Sequence, residues 1–293
     1  MRKIVFLLLL VTLGFSATLK QNEENLDMFS ARANDPESAQ CMDNWMDGVF
    51  GLRPHKVNFL MPLSYRFGNN MYRNYEDKTE YKHVETELQI SLKLKVGSDL
   101  FGKNEKYYLA YTHTAFWQTY TDSSPFRETN YSPEGFVVFP VFDQYSVFHV
   151  RNLKFGIGHI SNGQPGNPNP TLNHSRSLNF LYTEVTFQHQ ALVTKLKLWY
   201  RIPEFDNTDD NPDYIDYTGH SELNFNYFYH KHMITLTTKL NILTGNGSLA
   251  STYSYPLGDN TFAYVKFFHG YGESLIDYNN RVTKLSLGFS FSR

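Results

Sequence analysis

The chain has 293 residues, with 27 Lys and Arg against 29 Asp and Glu, a formal net charge of -2. It therefore lacks the excess positive charge with which dedicated nucleic-acid binders neutralise phosphates. A single cysteine excludes an intramolecular disulfide framework and a cysteine-based zinc cluster. Aromatic residues reach 16% while the mean hydropathy is -0.45. These values exclude a bundle of membrane helices but fit a β protein that contacts lipid.

The first sixteen residues predict a secretory signal peptide. Two cations precede an apolar stretch over 4–13, and a cleavage site with small residues at positions 14 and 16 follows. The apolar stretch is too short for a spanning helix, and a buried N-terminal helix fits its position and flanks less well. Residues 17–55 are polar and weakly patterned, so we expect an irregular lead-in. Cys41, within it, is expected to be a free, non-catalytic thiol.

From residue 56 onward, apolar and polar residues alternate with period two. In the clearest run, every second residue from Leu88 to Val96 is aliphatic and the residues between them are polar or charged. Such a run predicts a half-buried strand. About twelve segments of this kind lie near 57–66, 83–96, 105–118, 134–142, 145–159, 177–190, 192–202, 220–230, 232–243, 249–256, 261–271 and 281–291. Most reach about ten residues, the length that a tilted strand needs to cross a bilayer.

The connections between these segments alternate between short turns and long loops. Residues 190–191, 230–232 and 258–260 are short turns, whereas other connections are long and rich in Asn, Asp, Gly and Pro. This alternation is typical of outer-membrane barrels. A soluble β-sandwich is the alternative, which the signal peptide, the strand lengths and the aromatic content disfavour. We therefore predict an all-β fold, a transmembrane antiparallel β-barrel of about 12 strands over 56–293.

One segment in the middle of the chain could carry chemistry. It reads LKFGIGHISNG over 153–163, and its alternation places His159 and Ser161 on the apolar, lipid-side face. The next strand carries Asn179 on its own apolar face. A hydroxyl, an imidazole and a group that orients the imidazole are what nucleophilic catalysis requires. The other interpretation is an interfacial His159 with Ser161 starting a turn, but three polar groups on a lipid face would then be costly without a function.

Five motifs, in order along the chain, resemble the outer membrane phospholipase A family. They are SSPFRETNY at 123–131, HISNG at 159–163, SRSLN at 175–179, NTDDNPD at 207–213 and YGESLIDYN at 271–279. Together they cover most of the predicted barrel. The resemblance implies a twelve-stranded barrel in the bacterial outer membrane, passing the membrane many times. It also implies hydrolysis of the sn-1 and sn-2 acyl esters of phospholipids and lysophospholipids.

The resemblance assigns catalytic roles by matching motif positions. Ser161 would be the nucleophile, His159 the general base, and Asn179 the residue that orients the imidazole. The backbone N–H of Gly163 would belong to the oxyanion hole. An Asn can hold the ring through its side-chain carbonyl but cannot offset a developing imidazolium charge as Asp does.

The resemblance also implies Ca²⁺, bound where the two subunits of a homodimer meet. It gives the hydroxyl of Ser175 and the carbonyl of Gln164 from one subunit, and the carbonyl of Ser123 from the other. The connection 164–174 carries three prolines and is several residues longer than the family pattern, so the place of Gln164 depends on the loop register. His113 stands where the family often has a membrane-embedded Gln at the dimer contact.

Other acidic residues are expected to have structural roles. One acidic loop contains four aspartates, Asp206, Asp209, Asp210 and Asp213. It lacks the glycine and the distal Glu of an EF-hand, and the preference of Asp and Asn for turns explains its composition without a metal. Glu273, Ser274 and Asp277 are expected to anchor a loop by hydrogen bonds. A passive porin or adhesin-like barrel remains the competing function, although such a barrel has no reason to place polar residues on its lipid face.

Overall fold

The computed structural model describes residues 51–68, 81–141, 149–167, 169, 173–204 and 209–293. Residues 53–293 form one compact unit. The predicted signal peptide, most of the predicted lead-in with Cys41, and Asp206 of the acidic loop lie outside the described residues.

The described part of the chain forms thirteen strands and one short helix. They are β1 (Leu52–Pro54), β2 (Phe59–Phe67), β3 (Val84–Ser98), β4 (Lys106–Trp117), β5 (Phe126–Pro140), β6 (Val150–Ser161), β7 (Ser177–His189), β8 (Leu192–Ile202), α1 (Tyr214–Thr218), β9 (Ser221–Tyr229), β10 (His232–Leu240), β11 (Gly247–Pro256), β12 (Phe262–Gly270) and β13 (Val282–Ser290). Strands β2 to β13 pair in sequence, and β13 pairs with β2, so twelve antiparallel strands close a barrel. β1 pairs with β3 as an extra strand, at the end of the segment expected to be irregular. The predicted all-β barrel of about twelve strands is confirmed.

Side-chain alternation gives the two walls of the barrel opposite characters. On β8, Leu198 and Tyr200 point outward and are 50% and 59% exposed. Lys195 and Lys197 of the same strand point into the barrel, where they line a cavity. On β3, Glu87 is fully buried inside. An apolar outer wall around a charged interior is the arrangement of a barrel whose outside contacts lipid.

The connections sort onto two rims. The loop rim carries the described residues of the connections 68–83, 118–125, 162–176, 203–220, 241–246 and 271–281. The turn rim carries the described residues of the connections 99–105, 141–149, 190–191, 230–231 and 257–261. The predicted alternation of long loops with short turns is therefore present, most clearly at the two-residue turns that follow β7 and β9. No helix in the described ranges is long and apolar enough to cross a membrane.

β5 begins at Phe126, well before the segment predicted near 134–142. The alternation is hidden in its first half because the inward-facing residues there are strongly polar. Glu128 and Asn130 are buried and accept the backbone N–H groups of Ile276 and Leu275, at 3.1 and 3.2 Å. The polar start of β5 thus holds the connection 271–281 of the loop rim.

The predicted anchoring role of that connection agrees with its contacts. Arg127 Nη1 donates to the carboxylate of Asp277 at 2.7 Å and to the hydroxyl of Ser274 at 3.5 Å. Leu275 is buried in a cluster that includes Tyr214 of α1. These contacts fix the connection 271–281 against β5 and α1.

Candidate active site

Strands β6 and β7 place the predicted catalytic side chains on the outer wall. Phe155 and Ile157 of β6 point outward and are 45% and 54% exposed. His159 and Ser161 continue the same alternation, so their side chains also leave the barrel. His159 stands directly opposite Asn179 in the register of the two strands. The outward placement predicted from the sequence is therefore present in the structure.

Two glycines on the inner face of β6 give this strand pair room to pack. A Cβ atom on Gly158 would lie 2.4 Å from the ring of Phe180, and one on Gly156 would lie 2.5 Å from the ring of Tyr182. Neither distance is sterically possible for real atoms, so both rings depend on the missing Cβ. The rings fill the interior directly behind His159 and Asn179.

The imidazole of His159 is held by an amide. His159 Nδ1 lies 2.8 Å from Asn179 Oδ1. Because an amide oxygen only accepts hydrogen bonds, Nδ1 carries the proton and Nε2 presents its lone pair outward. A neutral imidazole in this tautomer can accept a proton from a nearby hydroxyl.

The hydroxyl of Ser161 lies beside a backbone donor. Its Oγ accepts the N–H of Gly163 at 3.0 Å. Gly163 has a φ of 67°, and a Cβ there would approach the Tyr131 ring at 3.0 Å, so both conformation and space favour glycine. Both side chains of the pair are described, and no hydrogen bond joins Ser161 Oγ to the His159 ring.

Asn162 organises the loop that follows the serine, a role that the sequence reasoning did not assign. Its side chain is buried, with 2% of the residue exposed. Oδ1 accepts the N–H groups of Arg176 and Gln164, at 3.0 and 3.3 Å, and Nδ2 donates to the His174 carbonyl at 2.8 Å. Asn162 therefore ties the beginning and the end of the connection 162–176 together. Its position inside the HISNG motif was the one feature of the sequence that pointed to this role.

The structure brings the acidic loop to the predicted calcium ligand. Ser175 Oγ donates to Asp210 Oδ2 at 2.5 Å, and Asn173 Nδ2 donates to Asp210 Oδ1 at 3.1 Å. Sequence reasoning had separated this loop from the metal site. A hydroxyl beside a carboxylate offers the hard oxygen donors that Ca²⁺ prefers, so the residues present fit that ion.

The other aspartates of the acidic loop have structural partners. Asp209 is paired with Arg201, and Asp213 accepts the Tyr278 hydroxyl. Within the described part of the chain, no group of three His, Cys, Asp or Glu side chains could hold a metal ion by itself. A calcium site built from the described residues would therefore include hydroxyl and carbonyl oxygens.

The remaining predicted residues lie on the same rim or wall. Ser123 and Gln164 are in two different connections of the loop rim, 118–125 and 162–176. His113 is on the outer wall of β4, opposite Tyr131, with 5.1 Å between the ring centroids. Tyr131 is in turn opposite Ser161. His113 and Ser161 are thus two strands apart along one row of the outer wall.

One acid near the site was missed by the sequence reasoning. Glu204 lies in the connection after β8, near His159. Partial burial, and then the neighbouring Asp209, raise the pKa of the Glu204 carboxyl, while Arg201 lowers it. Glu204 is not in any of the five motifs, so no pattern identified it.

Fold and site together are those of a β-barrel membrane protein with the groups of an acyl-ester hydrolase on its outer wall. The phospholipase A1 family model matches residues 37–291. The phospholipase A1 proteins of Escherichia coli K12 and Klebsiella pneumoniae are each 32% identical over 245 residues, covering 83% of this chain and 82% of theirs.

Two solved structures agree with these relatives. The Salmonella typhi outer membrane phospholipase, a dimer with bound calcium, has a TM-score of 0.75 at 31% identity, covering 83% of this chain and 93% of its own. Outer membrane phospholipase A from Escherichia coli has a TM-score of 0.74 at 31% identity, covering 83% and 99%. The chain belongs to the phospholipase A1 family. It is a phospholipase, a carboxylic ester hydrolase, which confirms the predicted enzyme class over a passive porin or adhesin-like barrel.

Proposed function

We propose that this protein hydrolyses sn-1 and sn-2 acyl esters of phospholipids and lysophospholipids in the bacterial outer membrane. The proposed mechanism uses Ser161, His159 and Asn179, depends on calcium and is activated by dimerisation. The observation that carries it is the hydrogen bond of 2.8 Å between His159 and Asn179 on the outer wall, two residues from Ser161. The predicted signal peptide and the lipid-facing site support the location.

In the first half of the reaction, Ser161 becomes acylated. His159 Nε2 takes the hydroxyl proton as Oγ attacks the ester carbonyl carbon. The Gly163 N–H, which donates to Oγ at 3.0 Å before the reaction, donates to the oxyanion that forms beside it. When the tetrahedral intermediate collapses, the ester bond breaks and His159 gives its proton to the departing alcohol of the lysolipid.

In the second half, water replaces the lysolipid. His159 takes a proton from water, whose oxygen attacks the acyl carbon, and collapse releases a fatty acid and reprotonates Ser161 Oγ. Asn179 keeps the Nδ1 proton in place through both steps. As a neutral group it orients the imidazolium without offsetting its charge, so part of the stabilisation given by an aspartate is absent.

The proposed calcium ligands are the Ser175 hydroxyl, the Gln164 carbonyl and the carbonyl of Ser123 of the partner subunit. Asp210 accepts a hydrogen bond from Ser175 and adds negative charge beside these neutral ligands. When bound, Ca²⁺ supplies positive charge that polarises the ester oxygen. Calcium takes six to eight oxygen ligands. A dimer would supply three protein oxygens and a single subunit only two, so the dimer should bind the ion more tightly. The calcium-bound dimer of the Salmonella typhi relative supports this arrangement.

The proposal is tested by measuring hydrolysis and cross-linked dimer together in mixed micelles across a calcium titration. We expect activity to rise with the dimer fraction and to vanish in excess chelator. Ser175→Ala should shift the titration to higher calcium while leaving the barrel folded. Full activity in chelator, or activity independent of the dimer fraction, would contradict the calcium and dimer parts of the proposal.

A further inference from the structure

Charged side chains form a row across the inner wall of β6 to β10. Successive register partners place Lys154, Glu184, Lys197, Glu222 and Lys239 side by side. Lys154 pairs with Glu184 at 2.5 Å and Lys239 pairs with Glu222 at 3.6 Å. The row therefore holds three cations but two anions, and the cation left over is the central one, Lys197.

Lys197 makes its close contact with an aromatic ring instead of a carboxylate. Its Nζ lies 4.0 Å from the centroid of the Tyr182 ring. The third carboxylate of this region, Glu134, is paired with Lys56 at 2.9 Å. Among the residues that the structure describes, no ion pair is formed by Lys197.

Lys195 adds a second positive charge one step nearer the turn rim. Its register partners on the adjacent strands are Thr186 and Asn224, which are neutral. It too forms no ion pair with any described residue. Lys195 and Lys197 are two residues apart on one face of β8, which places their Cα atoms about 7 Å apart. Both ammonium groups can therefore reach a single anion of phosphate size.

The two lysines face open space within the barrel. They line a cavity of about 530 Å³ that extends toward the turn rim, where Phe228 and Arg293 belong to its wall. Its carboxylates are Glu134, Glu184 and Glu222, all three engaged by other lysines. Positive charge that is partly removed from water without a counter-ion is unfavourable, so the wall favours an anion in the cavity.

We propose that this cavity is a binding site for a phosphate group, held between Lys195 and Lys197 and reached from the turn rim. Two positive charges match the dianion that inorganic phosphate or a phosphate monoester carries near neutral pH. The site lies on the inner wall, and Ser161 lies on the outer wall, so binding does not require the proposed hydrolysis. The ligand can be free phosphate or a phosphate monoester derived from a lipid headgroup.

The test is titration of the refolded protein with inorganic phosphate by calorimetry, at constant ionic strength kept with chloride. The double variant Lys195→Gln, Lys197→Gln should bind phosphate at least tenfold more weakly. Lys231→Gln, which removes a lysine from the exposed turn 230–231, is the matched control and should bind within twofold of wild type. Glycerol 3-phosphate in a second titration separates the sources: tighter binding than phosphate identifies a headgroup fragment, and equal or weaker binding identifies free phosphate.

Failure of wild type to bind either compound, or equal binding by the double variant, overturns the proposal. Folding is checked by heat-modifiable migration, and the single variants provide a second route if the double variant does not fold. Lys197→Gln leaves two cations and two anions in the row, so it should fold, and its phosphate affinity should fall several-fold. Unchanged affinity in both single variants also overturns the proposal.

Discussion

The outer and inner walls of the barrel use polar residues in opposite ways. On the outer wall, polar groups are few and local, and His159 and Asn179 are bonded to each other among apolar neighbours. On the inner wall, charges are numerous and form networks. Lys284 is fully buried and lies 2.7 Å from Glu85 and 3.1 Å from Glu87. The polar pair of His159 and Asn179 is therefore proposed to serve chemistry, whereas the buried charges around Lys284 support the fold.

The largest effect should come from the outer wall. Ser161→Ala should reduce hydrolysis by about three orders of magnitude or more, because it removes the proposed nucleophile, while the barrel remains folded. The measurement is ester hydrolysis in mixed micelles, with heat-modifiable migration as the folding check. Ser177→Ala is the matched control, since Ser177 stands opposite Ser161 in the register but has no assigned role. Activity above a tenth of wild type in Ser161→Ala would exclude the proposed nucleophile.

The inner wall should respond in stability instead of activity. Lys284→Met removes the cation that the buried carboxylates share; one of these is Glu273, 2.5 Å from the Lys284 ammonium. We expect this change to lower the free energy of unfolding by about 3–5 kcal/mol. Urea unfolding of the protein in lipid vesicles measures this. Lys231→Met, in the exposed turn 230–231, should change it by less than about 0.5 kcal/mol. Similar midpoints for the two variants would show that the buried network contributes little.

Asn179→Ala should weaken hydrolysis less than the loss of Ser161. Without the amide oxygen, the ring of His159 can rotate and change tautomer, so we expect a decrease of about ten- to a hundredfold. The pH profile of the rate separates orientation from folding, since a folded variant should recover part of its activity at alkaline pH. Loss as complete as in Ser161→Ala would show that Asn179 does more than orient the ring.

Gly158→Ala tests whether the inner packing positions the outer site. The added Cβ would lie 2.4 Å from the ring of Phe180, so the ring must move. We expect a loss of about 1–3 kcal/mol in stability from overpacking, together with a lower rate at saturating substrate. Gly135→Ala is the control, because its Cβ would meet neighbours at 3.8 Å or more. An unchanged rate in Gly158→Ala would show that packing on the inner wall does not position the residues of the outer site.

The smallest effect should concern His113. A protonated imidazole on the lipid-facing wall is costly where two subunits would meet, so cross-linked dimer should fall a few-fold between pH 8 and pH 5.5. His113→Gln should remove this dependence. A dimer fraction that depends equally on pH in both proteins would place the titrating group elsewhere.

Strand pattern and wall assignment could be predicted from the sequence because alternation with period two is a local property. The start of β5 could not be predicted in this way, because its inward residues, such as Glu128, are as polar as loop residues. Their hydrogen-bond partners lie in a connection far along the chain. The contact of Asp210 with Ser175 also joins segments far apart along the chain, and no periodicity reports it. The roles of Asn162 and Glu204 depend on loop geometry in the same way.

Because the Ser161 side chain points out of the barrel, the substrate concentration that governs the proposed reaction has to be expressed per membrane lipid. In the proposed mechanism, an ester in the surrounding leaflet reaches Ser161 by lateral diffusion and does not need to enter water. The relevant concentration is therefore the mole fraction of that lipid in the membrane, not its molarity in the suspension. Diluting the substrate with an inert lipid should slow the enzyme, whereas adding buffer should not. The cavity lined by Lys195 and Lys197 faces the lumen, so its occupancy depends on the molar concentration of the ligand in water. The two faces of one sheet thus take their ligands from different phases, lipid and water.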